Sequence, residues 1–138
     1  MRLFWDTNLF IYFLGNFGTL TESVSSLWER MALRGDNLET SVFTLAEIGV
    51  GAPGMTVAER REVQRRVASV AIVWPFDRRA AEVYSDLRRT SNLRAPDAIQ
   101  LAVAIAAGAD YFITNDTRLS RLSFPGAPTI TSLAECPI

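Results

Sequence analysis

Four acidic residues, Asp6, Glu47, Asp97 and Asp116, stand in the contexts FWDTN, TLAEI, APDAI and ITND. In each case an apolar run ends or a helical pattern begins nearby. Carboxylates that gather with no base among them repel one another unless cations neutralise them. Hard divalent ions such as Mg2+ or Mn2+ select such oxygen-rich donor sets and favour phosphate chemistry. These residues therefore have the types needed for metal-assisted attack on a phosphodiester, provided the fold brings them together.

Other chemistries are excluded by absence. The chain of 138 residues has no histidine, which removes Ser-His-Asp and Cys-His nucleophile systems and imidazole-based zinc sites. All 14 basic residues are arginine, so Schiff-base chemistry and a P-loop lysine are also absent. A formal net charge of −1 gives no global attraction for nucleic acid, and any such contact must use local basic patches. The single cysteine, Cys136, cannot form an intramolecular disulfide and reads as an incidental terminal thiol, consistent with a reducing cytoplasm. The apolar stretch Leu9–Leu14 is too short to span a bilayer, lacks the flanks of a signal peptide and reads as a first helix.

The elements that must position the acids are legible as alternating strands and helices. Arg2–Trp5, Leu38–Thr40, Val70–Trp74, Tyr111–Thr114 and Thr129–Ile130 read as strands. Helical spacing runs over residues 7–14, over 21–33 and from about 43 to 50. Thr56 and Glu59 form a capping-box pattern that opens a further helix to about Ser69. Asp77 can cap the next, and Pro96 suits the first turn of one that Gly108 stops. No linker or repeat interrupts residues 1–138, so one α/β domain is expected, with a mainly parallel sheet covered by helices on both faces.

In such sheets, ligands bind beyond the C-terminal ends of the strands. Asp6 follows the first strand and Asp116 follows Tyr111–Thr114, so both fall at that edge. Glu47 is expected near the start of the helix leaving the second strand. The helix carrying Asp97 precedes a strand by a short turn and runs antiparallel to it, which returns Asp97 to the same edge. Each acid has a local alternative: Asp6 and Asp97 suit helix N-termini, Asp116 suits a turn, and Glu47 could complete a capping box with Thr44. Asp36, Asp77, Asp86 and Asp110 read as turn, cap or solvated residues.

The segments FWDTNLFIYFL, SVFTLAEIGVGA and RAPDAIQLAVAIAAGADYFITND, in this order, resemble the PIN-domain ribonucleases. The likeness is greatest to VapC-type toxins of bacterial toxin–antitoxin pairs. That resemblance implies a three-layer α/β/α sandwich with a five-stranded sheet, Mg2+ or Mn2+ dependence, and cleavage of RNA. It also implies a homodimer and a small antitoxin whose tail covers the active-site groove. The family's acidic metal positions fall on Asp6, Glu47, Asp97 and Asp116, with Glu47 acting directly or through water. Asn8 and Thr114 match its polar supporting positions, although both residues equally suit local capping. Arg78, Arg79, Arg88, Arg89, Arg94, Arg118 and Arg121 are the candidates for substrate contact, with Arg94 and Arg118 closest in sequence to the acids; Arg60, Arg61, Arg65 and Arg66 read as a solvated helix face on which Glu62 pairs.

Rival readings of the architecture meet specific obstacles. A haloacid-dehalogenase-type phosphatase normally has a second Asp two residues after the first, where this chain has Asn8. A response-regulator receiver needs a lysine, and a dinucleotide module needs GxGxxG; neither is present. An RNA-processing nuclease outside any toxin system and a non-catalytic, antitoxin-binding PIN scaffold both stay open at this stage.

Overall fold

The computed structural model describes residues 1–138. The strands are β1 (Arg2–Trp5), β2 (Asn37–Ser41), β3 (Ile72–Trp74), β4 (Tyr111–Thr114) and β5 (Thr129–Ser132). They form one sheet in the order β3-β2-β1-β4-β5, and every adjacent pair is parallel. The helices are α1 (Thr7–Leu14), α2 (Thr19–Arg34), α3 (Val42–Ile48), α4 (Val57–Val70), α5 (Arg78–Thr90) and α6 (Ala95–Ala107), with a 3-10 turn at Leu119–Arg121.

Alternation along the central strands creates two cores. Leu3, Trp5 and Ile113 pack with Leu9 and Phe10 of α1, Val24, Leu27 and Met31 of α2, and Val67 of α4. Phe4, Phe112 and Ile130 face the other way, against Ala80 and Leu87 of α5 and Leu101 of α6. The result is the three-layer α/β/α arrangement expected from the resemblance.

Several local signals act as the sequence predicts. Thr56 and Glu59 make both bonds of the capping box that starts α4. The Asp77 carboxylate accepts from Ala80 N at 2.9 Å and starts α5. Gly108 ends α6 at φ +75°, a left-handed conformation for which glycine lacks the Cβ penalty.

Three of the boundaries that differ from the sequence reading have a local cause. Val70 belongs to α4 rather than to a strand, because the helix propagates past buried Val67 until Ala71 turns extended. α3 ends at Ile48, where the Gly49 N–H donates to Leu45 O at 3.0 Å and the Val50 N–H to Glu47 O at 3.3 Å. The last strand runs to Ser132 because Thr114 and Ser132 continue the β4–β5 ladder.

Candidate active site

The C-terminal edge of β1 and β4 is the floor of the site. The Asp6 N–H donates to Ile113 O at 3.0 Å, so the backbone ladder fixes this residue beside β4. The Asp6 carboxylate then caps α1, with Oδ1 accepting from Thr7 N at 2.8 Å. Its Oδ2 accepts from the Thr114 hydroxyl at 3.0 Å. Thr114 is fully buried, and its oxygen also accepts from Asp116 N at 3.0 Å. One threonine thus ties Asp6 to Asp116 across the edge.

The two helices that supply the remaining acids arrive differently. Asp97 is the third residue of α6, as the antiparallel packing argument requires. Glu47 sits in the last turn of α3, not near its start. It stays at the edge because a seven-residue helix is only about 10 Å long. The Thr7 hydroxyl donates to Glu47 Oε1 at 2.6 Å, which binds the end of α3 to the start of α1. The capping box considered for Thr44 and Glu47 does not form, since the Thr44 hydroxyl turns inward to Thr7, Thr40 and Gln100.

Electrostatics single out Asp6. Burial pushes its pKa up from 3.8 to about 6, and the neighbouring charges of Asp97 and Glu47 add to the rise. Hydrogen bonds from Thr7 N and the Thr114 hydroxyl oppose it without cancelling it. No arginine pairs with Asp6 or Glu47. Arg94 reaches Asp97 at 3.6 Å and Arg118 reaches Asp116 at 3.7 Å, both from exposed positions. These two arginines, with Asp97 and Asp116, line one cleft of about 420 Å³.

Not every candidate joins this arrangement. Asn8 is exposed to solvent and takes no part in the hydrogen bonding around Asp6. Asp116 uses Oδ1 to accept from Arg118 N at 2.9 Å, so its turn alternative also holds. No three of the acids stand together at ligand spacing. Arg65 pairs with Glu62 along α4, as its helical spacing predicts. Cys136 is not an exposed terminal thiol: it packs half-buried against the α1–α2 core, and burial raises its pKa.

Sequence reasoning passed over three residues that the structure makes prominent. Thr7 and Gln100 are buried in the polar layer beneath the acids, and Glu39 is buried within β2. Gln100 carried a usable signal, being a polar residue inside the apolar run of α6 and one turn from Asp97. Glu39 carried one as well, as a charge in the middle of a parallel strand.

A parallel five-stranded sheet with acids at its C-terminal edge and helices on both faces defines an α/β protein of the PIN class. The family model for the PIN domain matches residues 3–125, and the chain belongs to that family. Similar solved structures agree in fold. One chain of VapBC2 from Rickettsia felis, bound to a promoter DNA fragment, is 19% identical with a TM-score of 0.75, covering 96% of this chain and 98% of that one. One chain of DNA-bound VapBC from Salmonella typhimurium is 22% identical with a TM-score of 0.70, again covering 96% and 98%. One chain of VapBC-5 from Mycobacterium tuberculosis, a member of a family of toxin–antitoxin systems, is 25% identical with a TM-score of 0.59, covering 95% and 96%. No curated protein matches.

Proposed function

We propose that this protein is a metal-dependent endoribonuclease, the toxin of a toxin–antitoxin pair. The observation that carries the reading is Asp6, a carboxylate raised to about 6 by burial and by Asp97 and Glu47, with no arginine paired to it. A carboxylate so placed gains most from an external cation. The donors fit Mg2+ or Mn2+ in kind, being hard oxygens with neither thiolate nor imidazole among them. Each Asp6 oxygen has accepted one hydrogen bond and retains a second lone pair.

Asp6, Asp97 and Asp116 would hold the metal, with Glu47 bound directly or through water. A metal held there would supply Lewis-acid activation of water at neutral pH and offset charge on the phosphate. The chain's own residues do the rest. Thr7 and Thr114 orient Glu47 and Asp6 through their hydroxyls. Arg94 and Arg118 flank the cleft with exposed positive charge suited to the flanking phosphates of RNA. No histidine is available as general acid, so the leaving oxygen takes its proton from water.

The antitoxin part of the proposal is supported by a second cleft. It has a volume of about 400 Å³ and adjoins Glu47, with Ile11, Leu14, Phe17, Ile48 and Met55 in its walls. Ile11 and Phe17 are exposed there, at 38% and 48%. An apolar antitoxin tail in this cleft would lie against Glu47. The remaining expectations belong to the same proposal: a homodimer acting in the cytoplasm. No helix is long and apolar enough to cross a membrane.

The test is cleavage of a mixed structured RNA pool by the antitoxin-free protein with Mg2+, with Mn2+ and with chelator, beside Asp97→Asn. Metal-dependent cutting should fall in the variant by roughly a hundredfold or more, at or beyond the upper end of supporting-residue effects. Metal binding without any cleavage, on this pool and on RNA from cells arrested by expression, would instead favour a scaffold.

A further inference from the structure

The layer beneath the acids is a closed polar network around one side chain. Gln100 is 2% exposed. Its Nε2 lies 2.8 Å from Thr7 Oγ1 and 2.8 Å from Thr44 Oγ1. Its Oε1 accepts from the Ser41 hydroxyl at 2.6 Å. Thr44 also meets Thr7 at 3.1 Å and Thr40 at 2.8 Å. The network joins the start of α1, the body of α3 and the first turns of α6, the three helices that carry or adjoin Asp6, Glu47 and Asp97.

Proton counting gives this network a direction. The Thr7 hydroxyl has a single proton, and it donates that proton to Glu47 Oε1 at 2.6 Å. Thr7 Oγ1 must then accept from its buried neighbours, which requires the NH2 group of Gln100, not its carbonyl, to face Thr7. Ser41 completes the assignment, because its hydroxyl can donate to the opposite end of the amide. With the amide reversed, Gln100 would compete with Glu47 for the Thr7 proton.

We infer that Gln100 is a positioning residue of the active site: its amide commits the Thr7 hydroxyl to Glu47 and so sets the aim of that carboxylate toward Asp6. Gln100 itself touches neither substrate nor metal. The inference rests on the metal-site reading above, and one set of measurements separates the two.

Mn2+ binding is followed by electron paramagnetic resonance in wild type, Gln100→Met, Thr7→Val and the double variant, alongside thermal unfolding without metal. Gln100→Met preserves length and removes both donors. Its Mn2+ affinity should fall about 10–100-fold, in the range seen when the partner of a ligand is lost. Thr7→Val should fall similarly, and the double variant should be no worse than the weaker single one. Affinity within twofold of wild type in Gln100→Met, whatever its melting temperature, would overturn the inference. So would fully additive losses.

If wild type binds no Mn2+, the metal site fails, and NMR of the metal-free protein decides the positioning role alone. The same spectrum decides it if Gln100→Met does not fold. A slowly exchanging Thr7 hydroxyl proton with cross-peaks to the Gln100 amide protons supports it. A rapidly exchanging hydroxyl contradicts it.

Discussion

Glu39 lies within β2 and Asp6 just past the end of the neighbouring strand β1, and the two carboxylates have opposite surroundings. The Glu39 side chain is 1% exposed and is gripped by Arg2 Nε at 2.6 Å, by a second Arg2 nitrogen at 3.0 Å and by Trp74 Nε1 at 2.9 Å. The same guanidinium donates to Ala107 O and Gly108 O, closing the C-terminal end of α6. Arg2 is held more firmly protonated as a result, chiefly by its bond to Glu39. Asp6 receives one backbone N–H and one hydroxyl, and its charged neighbours are acids. An acid that holds the fold together takes its cation from the chain. Asp6 receives no cation from the chain, and the folded protein carries the cost of its buried charge.

The sharpest way to break this contrast is to remove Arg2. Arg2→Met leaves Glu39 buried and unpaired and should cost about 3–5 kcal/mol in urea unfolding, while Mn2+ affinity stays unchanged. Replacing both partners, Arg2→Met with Glu39→Leu, should recover much of that loss. Loss of Mn2+ affinity in either variant would join the two regions and defeat the comparison.

Asp6 should show the opposite dependence, on pH. Its folded pKa of about 6 lies above the ordinary 3.8, so between those values the metal-free folded protein keeps a proton that the unfolded chain releases. Stability from this group is complete below 3.8 and is lost as pH rises through about 6. The change should be on the order of 2 kcal/mol, reduced from the full linkage value because Asp6 is partly solvated. Thermal unfolding across pH 4–7 checks it: Asp6→Asn should flatten the slope, and Mg2+ should raise the wild-type melting temperature more at pH 7 than at pH 5.

The smallest effects belong to the rim. Arg94 and Arg118 are 71% and 82% exposed, and ion pairs of that kind contribute little to stability. Arg94→Ala and Arg118→Ala should leave unfolding unchanged within about 0.5 kcal/mol. Each should lower the salt dependence of single-stranded RNA binding by about 0.7 in slope if it contacts a phosphate. A salt slope that does not change would assign both arginines to their acids alone.

Much of this arrangement is written in local sequence. Apolar runs of strand length, the Thr56–Glu59 capping box, the Asp77 cap and the Gly108 stop act within a few residues of themselves, so periodicity and cap chemistry reveal them. The edge positions of Asp6, Asp97 and Asp116 follow from the same short-range signals together with the handedness and direction of βαβ units. Polar pairing is different, because a buried side chain bonds whatever the packing brings within 3 Å, regardless of separation in the chain. Arg2 finds Glu39 37 residues away, and Gln100 finds Thr7 93 residues away. Glu47 reaches the edge from the end of its helix because tertiary packing places α3 against α1, and Asn8, although in the same DTN segment as Asp6, faces solvent. The sequence by itself determined the elements and the edge at which the acids lie. Only the tertiary structure decided which acid is neutralised within the chain and which is not.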